Sequence, residues 1–144
     1  MIKFKTLFAL LFSAVVIVFI SGCENHIYEE SGLKIADGIV MTAEHSEYDG
    51  SCHEIKLLIN NSTDADCCFG EDFKLLRMYN GQWEYVTAES ESFAEIAHLV
   101  QSNTEVSWTA RFENSFKLPL KPGVYRIRKE IDGSGVIYAE FTIK

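Results

Sequence analysis

Two short strings hold most of the reactive side chains in this sequence: Cys52-His53 and Cys67-Cys68. Three thiols and an imidazole are the donor types of a zinc site, and paired thiols are the parts of a disulfide. The spacing suits neither. Zinc-binding cysteines usually stand two to four residues apart, whereas Cys67 and Cys68 are adjacent and point to opposite faces if they lie on a strand. If residues 53–60 and the segment from residue 66 pair as a hairpin about Asn61-Ser62-Thr63-Asp64, Cys52 falls roughly 20 Å from Cys67 at about 3.3 Å per residue. That is far over the ~7 Å limit between bridged α-carbons. A bridge is then open only to a chain that crosses between sheets. Buried thiols, a disulfide and a metal set remain three readings. The odd count leaves at least one of Cys52, Cys67 and Cys68 without an intrachain partner. A metal- or thiol-redox-linked accessory role using Cys52, His53, Cys67 and Cys68 is the alternative function that this set would carry.

Other constellations point to binding. Arg111, Arg126 and Arg128, with Lys129 beside them, read as a basic strip for an acidic protein or an anionic cell-wall polymer. Strand alternation places Arg126 and Arg128 on one face with Val124. Glu44, Glu47 and Asp49 crowd an acidic loop but lack the D-x-D-x-D-G ladder of a calcium site. There is no G-x-S-x-G, and Walker and dinucleotide-binding glycine patterns are missing, so neither a catalytic residue nor a cofactor is expected. Trp108 is expected in a core and Trp83, beside a turn, nearer the surface. The net charge of −8 disfavours nucleic acid, whose phosphates demand Lys and Arg.

The fourth cysteine belongs to the N-terminus. Lys3 and Lys5 precede an uncharged apolar run, Leu7 to Ile20, of 14 residues. A membrane-spanning helix needs about 20, whereas a shorter run fits the apolar region of an export signal. The run ends in Ile20-Ser21-Gly22-Cys23, which resembles a bacterial lipobox: aliphatic, small, Gly, then Cys. The resemblance implies cleavage before Cys23 and a diacylglycerol thioether on its sulfur. Residues 1–22 are then a lipoprotein signal peptide and residues 23–32 a lipidated, acidic tether. The expected location is the cell membrane, lipid-anchored on its extracytoplasmic side. Removing Lys3 and Lys5 leaves 11 basic against 21 acidic residues, a net charge of −10.

Residues 33–144 must position whatever the side chains do. Ile39, Met41 and Ala43 alternate with polar neighbours, as do Ile55, Leu57 and Ile59, and later Val106, Trp108, Ala110 and Phe112. Asn80-Gly81 is the strongest short hairpin signal, because a type I′ turn needs positive φ twice. Pro122-Gly123 suits the centre of a type II turn. Phe93, Ile96, Ala97 and Val100 have helical spacing, with Ser92 and Glu95 placed for a capping box, so a short helical turn is expected over residues 92–100. About seven short strands with regular turns predict an all-β fold, an antiparallel β-sandwich.

The string Leu120-Lys121-Pro122-Gly123-Val124-Tyr125-Arg126-Ile127-Arg128-Lys129, followed by Tyr138-Ala139-Glu140-Phe141-Thr142-Ile143, is similar to the end of a bacterial immunoglobulin-like domain family. The middle, from Ile59 through the Asn80-Gly81-Gln82-Trp83 hairpin to Val86, resembles that family too. The resemblance covers residues 38–143 and implies an immunoglobulin-like sandwich of the kind carried by lipoproteins and surface proteins of Gram-positive bacteria. It implies no common ligand. The expected role is a non-catalytic binding module, held to the membrane through Cys23.

Overall fold

The computed structural model describes residues 26–144. The signal segment 1–22, Cys23 and the first residues of the expected tether lie outside the described residues. Ten strands follow in order: β1 (Ile39–Ala43), β2 (Glu47–Tyr48), β3 (Glu54–Asn61), β4 (Cys67–Phe69), β5 (Lys74–Tyr79), β6 (Gln82–Tyr85), β7 (His98–Val100), β8 (Thr104–Arg111), β9 (Gly123–Ile131) and β10 (Gly135–Ile143). They form a five-stranded sheet, β2-β10-β9-β5-β6, a three-stranded sheet, β1-β3-β8, and a two-stranded ribbon, β4-β7. Among the named strands, all pairings are antiparallel except the short β2–β10 contact. This is the all-β, immunoglobulin-like sandwich expected.

The core follows from alternation. Ile55, Leu57 and Ile59 of β3 and Trp108 and Ala110 of β8 point inward from the smaller sheet. Leu75, Tyr125, Ile127, Ile137, Ala139 and Phe141 meet them from the larger one. Each aliphatic side chain so buried stabilises the fold by about 1.5–3 kcal/mol. Tyr125 lies near the start of β9, and its hydroxyl donates back to Lys121 O at 2.7 Å. This is the corner that immunoglobulin-like sandwiches use to fix a connection to the sheet.

The turns are set by backbone requirements. Asn80 and Gly81 take φ of 48° and 78°, as a type I′ hairpin demands. The β9–β10 hairpin closes through Gly133 at φ 70°. Gly123 departs from expectation. Its φ of 155° is one that L side chains rarely adopt, and it begins β9 instead of sitting at the ~80° of a type II turn.

Two further expectations are corrected. Residues 92–97 are irregular, and His98–Val100 is a strand, not the end of a helical turn. Phe93 does pack on Phe73, at 5.6 Å between ring centroids, but Ile96 is half-exposed and so not part of a buried face. A nine-residue helix is marginal on its own. β4 offers His98–Val100 a backbone ladder, and the buried Asn61 amide donates to Val100 O at 3.2 Å, so the strand wins. The second correction concerns β3, which pairs with β1 and β8 and not with β4. Asn61 turns the chain there, donating to Ala65 O at 2.8 Å and accepting from Thr63 N at 3.0 Å, and the chain crosses into the β4–β7 ribbon.

Candidate functional site

The larger sheet turns Arg126, Arg128 and Tyr138 outward, since their neighbours Tyr125, Ile127 and Ala139 point into the core. Arg128 faces Tyr138 across β9–β10. Trp83 and Tyr85 stand on β6, the edge strand. That edge is covered. Glu29 N–H donates to Trp83 O and Tyr85 N–H donates to Ile27 O, at 2.9 and 2.8 Å, and Tyr28 bridges Glu84 in antiparallel register. His26 stacks on Tyr79 at 4.4 Å and hydrogen-bonds Glu84. So residues 27–29, within the expected tether, pair with the edge of the sheet.

This docking delivers the Glu29 carboxylate to the arginines. Oε2 pairs with Arg126 Nη2, and Oε1 accepts from Arg128 Nη1 at 3.2 Å and from Tyr138 Oη at 2.9 Å. Arg128 Nη1 also donates to Tyr85 Oη at 2.7 Å. The Arg126 guanidinium lies between two aromatic faces, 4.3 Å from the Trp83 ring centroid and 4.0 Å from that of Tyr138. The side chains are largely dry: Glu29 is 6% exposed, Arg128 11% and Arg126 15%. Burial, then the bond to Glu29, pushes the Tyr138 phenol up to about 12. For Arg128, burial works against the charge but is outweighed by Tyr85 and Glu29, and its pKa rises. The cluster is a carboxylate receptor: two guanidiniums and a phenol around one anion, walled by aromatic rings.

The expected basic strip is therefore corrected. Arg126 and Arg128 do hold an anion, but it is the chain's own Glu29. Arg111 is on β8 in the other sheet, exposed and within 3.6 Å of Glu54. Lys129 points the opposite way, as alternation requires, and is 1% exposed. Its ammonium donates to Gly70 O and Asp72 O at 2.7 and 2.8 Å and lies 3.8 Å from the Trp108 ring centroid. Burial lowers its pKa to about 8. Next to it Glu71 accepts from Trp108 Nε1 at 3.3 Å and pairs with His98. The part of Glu29 in the receptor was not read from the sequence. The available signal was charge asymmetry: residues 23–105 hold 4 basic and 17 acidic groups, residues 106–144 hold 7 and 4.

The cysteines do not converge. Cys52, Cys67 and Cys68 are free thiols. Cys67 is buried and Cys68 half-buried on the other face of β4. Burial pushes the Cys52 and Cys67 thiols up, away from reactive thiolate. Because β3 and β4 lie in different sheets, the hairpin separation of roughly 20 Å for Cys52 and Cys67 has lost its premise. His53 lies 3.4 Å from Glu113, exposed. Among the described residues no three His, Cys, Asp or Glu side chains are grouped to hold a metal ion. The acidic loop is dispersed too: Glu44 pairs with Lys56, Glu47 with Lys144, and Asp49 accepts from Ser51 N at 2.8 Å.

Residues 36–142 match the family model described as a bacterial Ig-like domain. The chain belongs to that family. No curated protein matches it. Among solved structures, it is similar to the alkylpurine DNA glycosylase AlkC of Pseudomonas fluorescens, bound to DNA containing an abasic site analog. Identity is 9%, the TM-score is 0.42, and the match covers 74% of this chain and 30% of the glycosylase. It is also similar to the archaellum periplasmic stator protein FlaG of Sulfolobus acidocaldarius: 12% identity, TM-score 0.42, 72% of this chain and 99% of that one. A superoxide reductase (neelaredoxin) from Ignicoccus hospitalis matches at 12% identity and TM-score 0.32, over 73% and 78% of the two chains. On the outer face of this bacterial Ig-like domain, Arg126, Arg128 and Tyr138 form a built polar cluster filled by Glu29.

Proposed function

We propose that the chain is an extracytoplasmic lipoprotein, anchored through a diacylglyceryl group on Cys23, whose bacterial Ig-like domain is a non-catalytic interaction module. The lipobox-like Ile20-Ser21-Gly22-Cys23 supports the anchor. The observation that carries the reading is Glu29. It stands six residues past Cys23 and is built into the domain by Arg126, Arg128 and Tyr138. A domain whose first residues are clamped to its sheet sits directly on its anchor. It does not swing on a long leash. Two lipid chains make such an anchor durable, where one is marginal. Its loops and edges then face a protein or wall-polymer partner near the membrane.

A membrane-impermeant cross-linker applied to intact cells, followed by capture of the chain, tests this. The expected result is a chain that is cross-linked before lysis and recovered with a partner. A chain reached only after lysis contradicts the location. A chain recovered alone contradicts the interaction role.

A further inference from the structure

Beside the β5–β6 hairpin the sandwich opens into a cleft of about 600 Å³. Three cations line it: Arg77 of β5, and Lys117 and Lys121 of the β8–β9 connection. That connection reads Lys117-Leu118-Pro119-Leu120-Lys121. Leu120 is buried and its N–H donates to Gly50 O at 2.8 Å, so the loop is pinned at its centre while both lysines stay exposed. Gly50 permits the approach, since a Cβ there would meet Leu120 O at 2.5 Å.

Arg77 is held more tightly. Its Nη2 donates to Pro122 O at 2.9 Å. A Cβ at Gly123 would come within 3.0 Å of Arg77 Nε, so glycine makes room for the guanidinium. Nε is shut from solvent and has no hydrogen-bond partner among the described residues. Among those residues, none of the three cations has a carboxylate within 4.0 Å. The acidic group lining the cleft, Glu84, is engaged by His26. In a chain of net charge −8, this is a local excess of positive charge, three cations against one carboxylate.

Position points to the anion. His26 lines the same cleft and stands three residues after Cys23. Three extended residues reach at most about 11 Å. On the reading that Cys23 carries the lipid, the cleft lies at headgroup level. We propose that Arg77, Lys117 and Lys121 bind the phosphate of an anionic phospholipid headgroup and so seat the domain on the membrane in one orientation. A guanidinium gives phosphate oxygens charge-assisted hydrogen bonds, and the lysines add point charge. Each lysine near an anionic surface contributes about fivefold in partitioning.

The test uses the full chain, purified from membranes and placed in phosphatidylcholine vesicles with or without phosphatidylglycerol. Amide hydrogen exchange is read at residues 117–123. Phosphatidylglycerol is expected to slow exchange there in the natural chain. The protection is expected to disappear in Arg77→Gln and in the Lys117→Gln, Lys121→Gln double variant, with β9–β10 exchange unchanged. Equal exchange in the two vesicles overturns the proposal. Protection of the detergent-solubilised chain by inorganic phosphate alone overturns the lipid as source. The mass of the same sample shows separately whether Cys23 carries lipid. If it does not, anchoring fails, while protection by added phosphatidylglycerol vesicles still decides the cleft.

Discussion

Lys129 brings an ammonium into the core of a β-sandwich, and only its surroundings make that tolerable. Two carbonyls and the Trp108 face replace water, yet burial still draws its pKa from 10.5 to about 8. The sign of the consequence is definite. Below pH 8 both folded and unfolded chains are charged here; between 8 and 10.5 the unfolded chain binds more protons, so this residue favours folding increasingly as pH rises. Denaturant melts of wild type and Lys129→Met should show wild type gaining on the variant across that window, by up to about 3 kcal/mol. Tyr138 acts oppositely. Its pKa is raised to about 12, so its contribution is lost as pH rises from 10 to 12, and Tyr138→Phe should flatten that loss. In the carboxylate receptor, Arg128→Ala leaves Glu29 short of a partner in a dry site, and a loss of about 2–4 kcal/mol is expected in the same melts. Exposed pairs such as Arg111–Glu54 should be worth less than about 1 kcal/mol. Single residues were legible to different degrees. The inward turn of Trp108 followed from alternation, as did the opposite facing of Lys129 and Arg128. The pairing of Arg126 with Glu29 did not, because the partners are 97 residues apart and no local pattern joins them.

At the scale of elements, the long strands were readable and the short ones were not. β1, β3, β5, β8, β9 and β10 each have five or more residues, enough for a period of two to show. β2, β4 and β7 have two or three residues and no visible period, and they exist because neighbours supply hydrogen bonds. That is also why residues 92–100 read as helix: the spacing of Phe93, Ile96 and Val100 is local, whereas the ladder from β4 is not. The crossing from β3 to β4 rests on Asn61, fully buried, whose amide reaches Ala65 O, Val100 O and Gln101 O. Asn61→Ala removes these bonds together, and thermal unfolding should show a loss of about 2–4 kcal/mol. The segment 26–29 is the least expected element, a strand-like edge cover attached by two backbone bonds, the Glu29 carboxylate and the contacts of His26 with Glu84 and Tyr79. Glu29→Ala should release it. Hydrogen exchange at the Tyr85 and Glu29 amides should then speed up, with β9–β10 unchanged. Unchanged exchange at both amides would mean that the backbone pairing holds the segment without the arginines.

For the whole molecule, charge and anchoring belong together. The described domain keeps most of its acidic groups on the surface, while Arg126 and Arg128 on the outer face are spent on Glu29 and three further cations, Arg77, Lys117 and Lys121, line the cleft near His26. A membrane-held protein of net charge −10 after cleavage would be repelled by anionic headgroups unless positive charge faced them. On the proposed anchoring at Cys23, the pairing of residues 27–29 with one edge of the larger sheet would set which side does so. Family membership accounts for the sandwich and leaves the role to the surfaces. Whether the domain is mounted on a lipid at Cys23 is decided by the intact mass of the chain purified from its own membranes. The expected species is a polypeptide beginning at Cys23 and heavier than the bare chain by a diacylglyceryl group. A chain that begins at Met1 or at any other residue, or one with an unmodified Cys23, would contradict it.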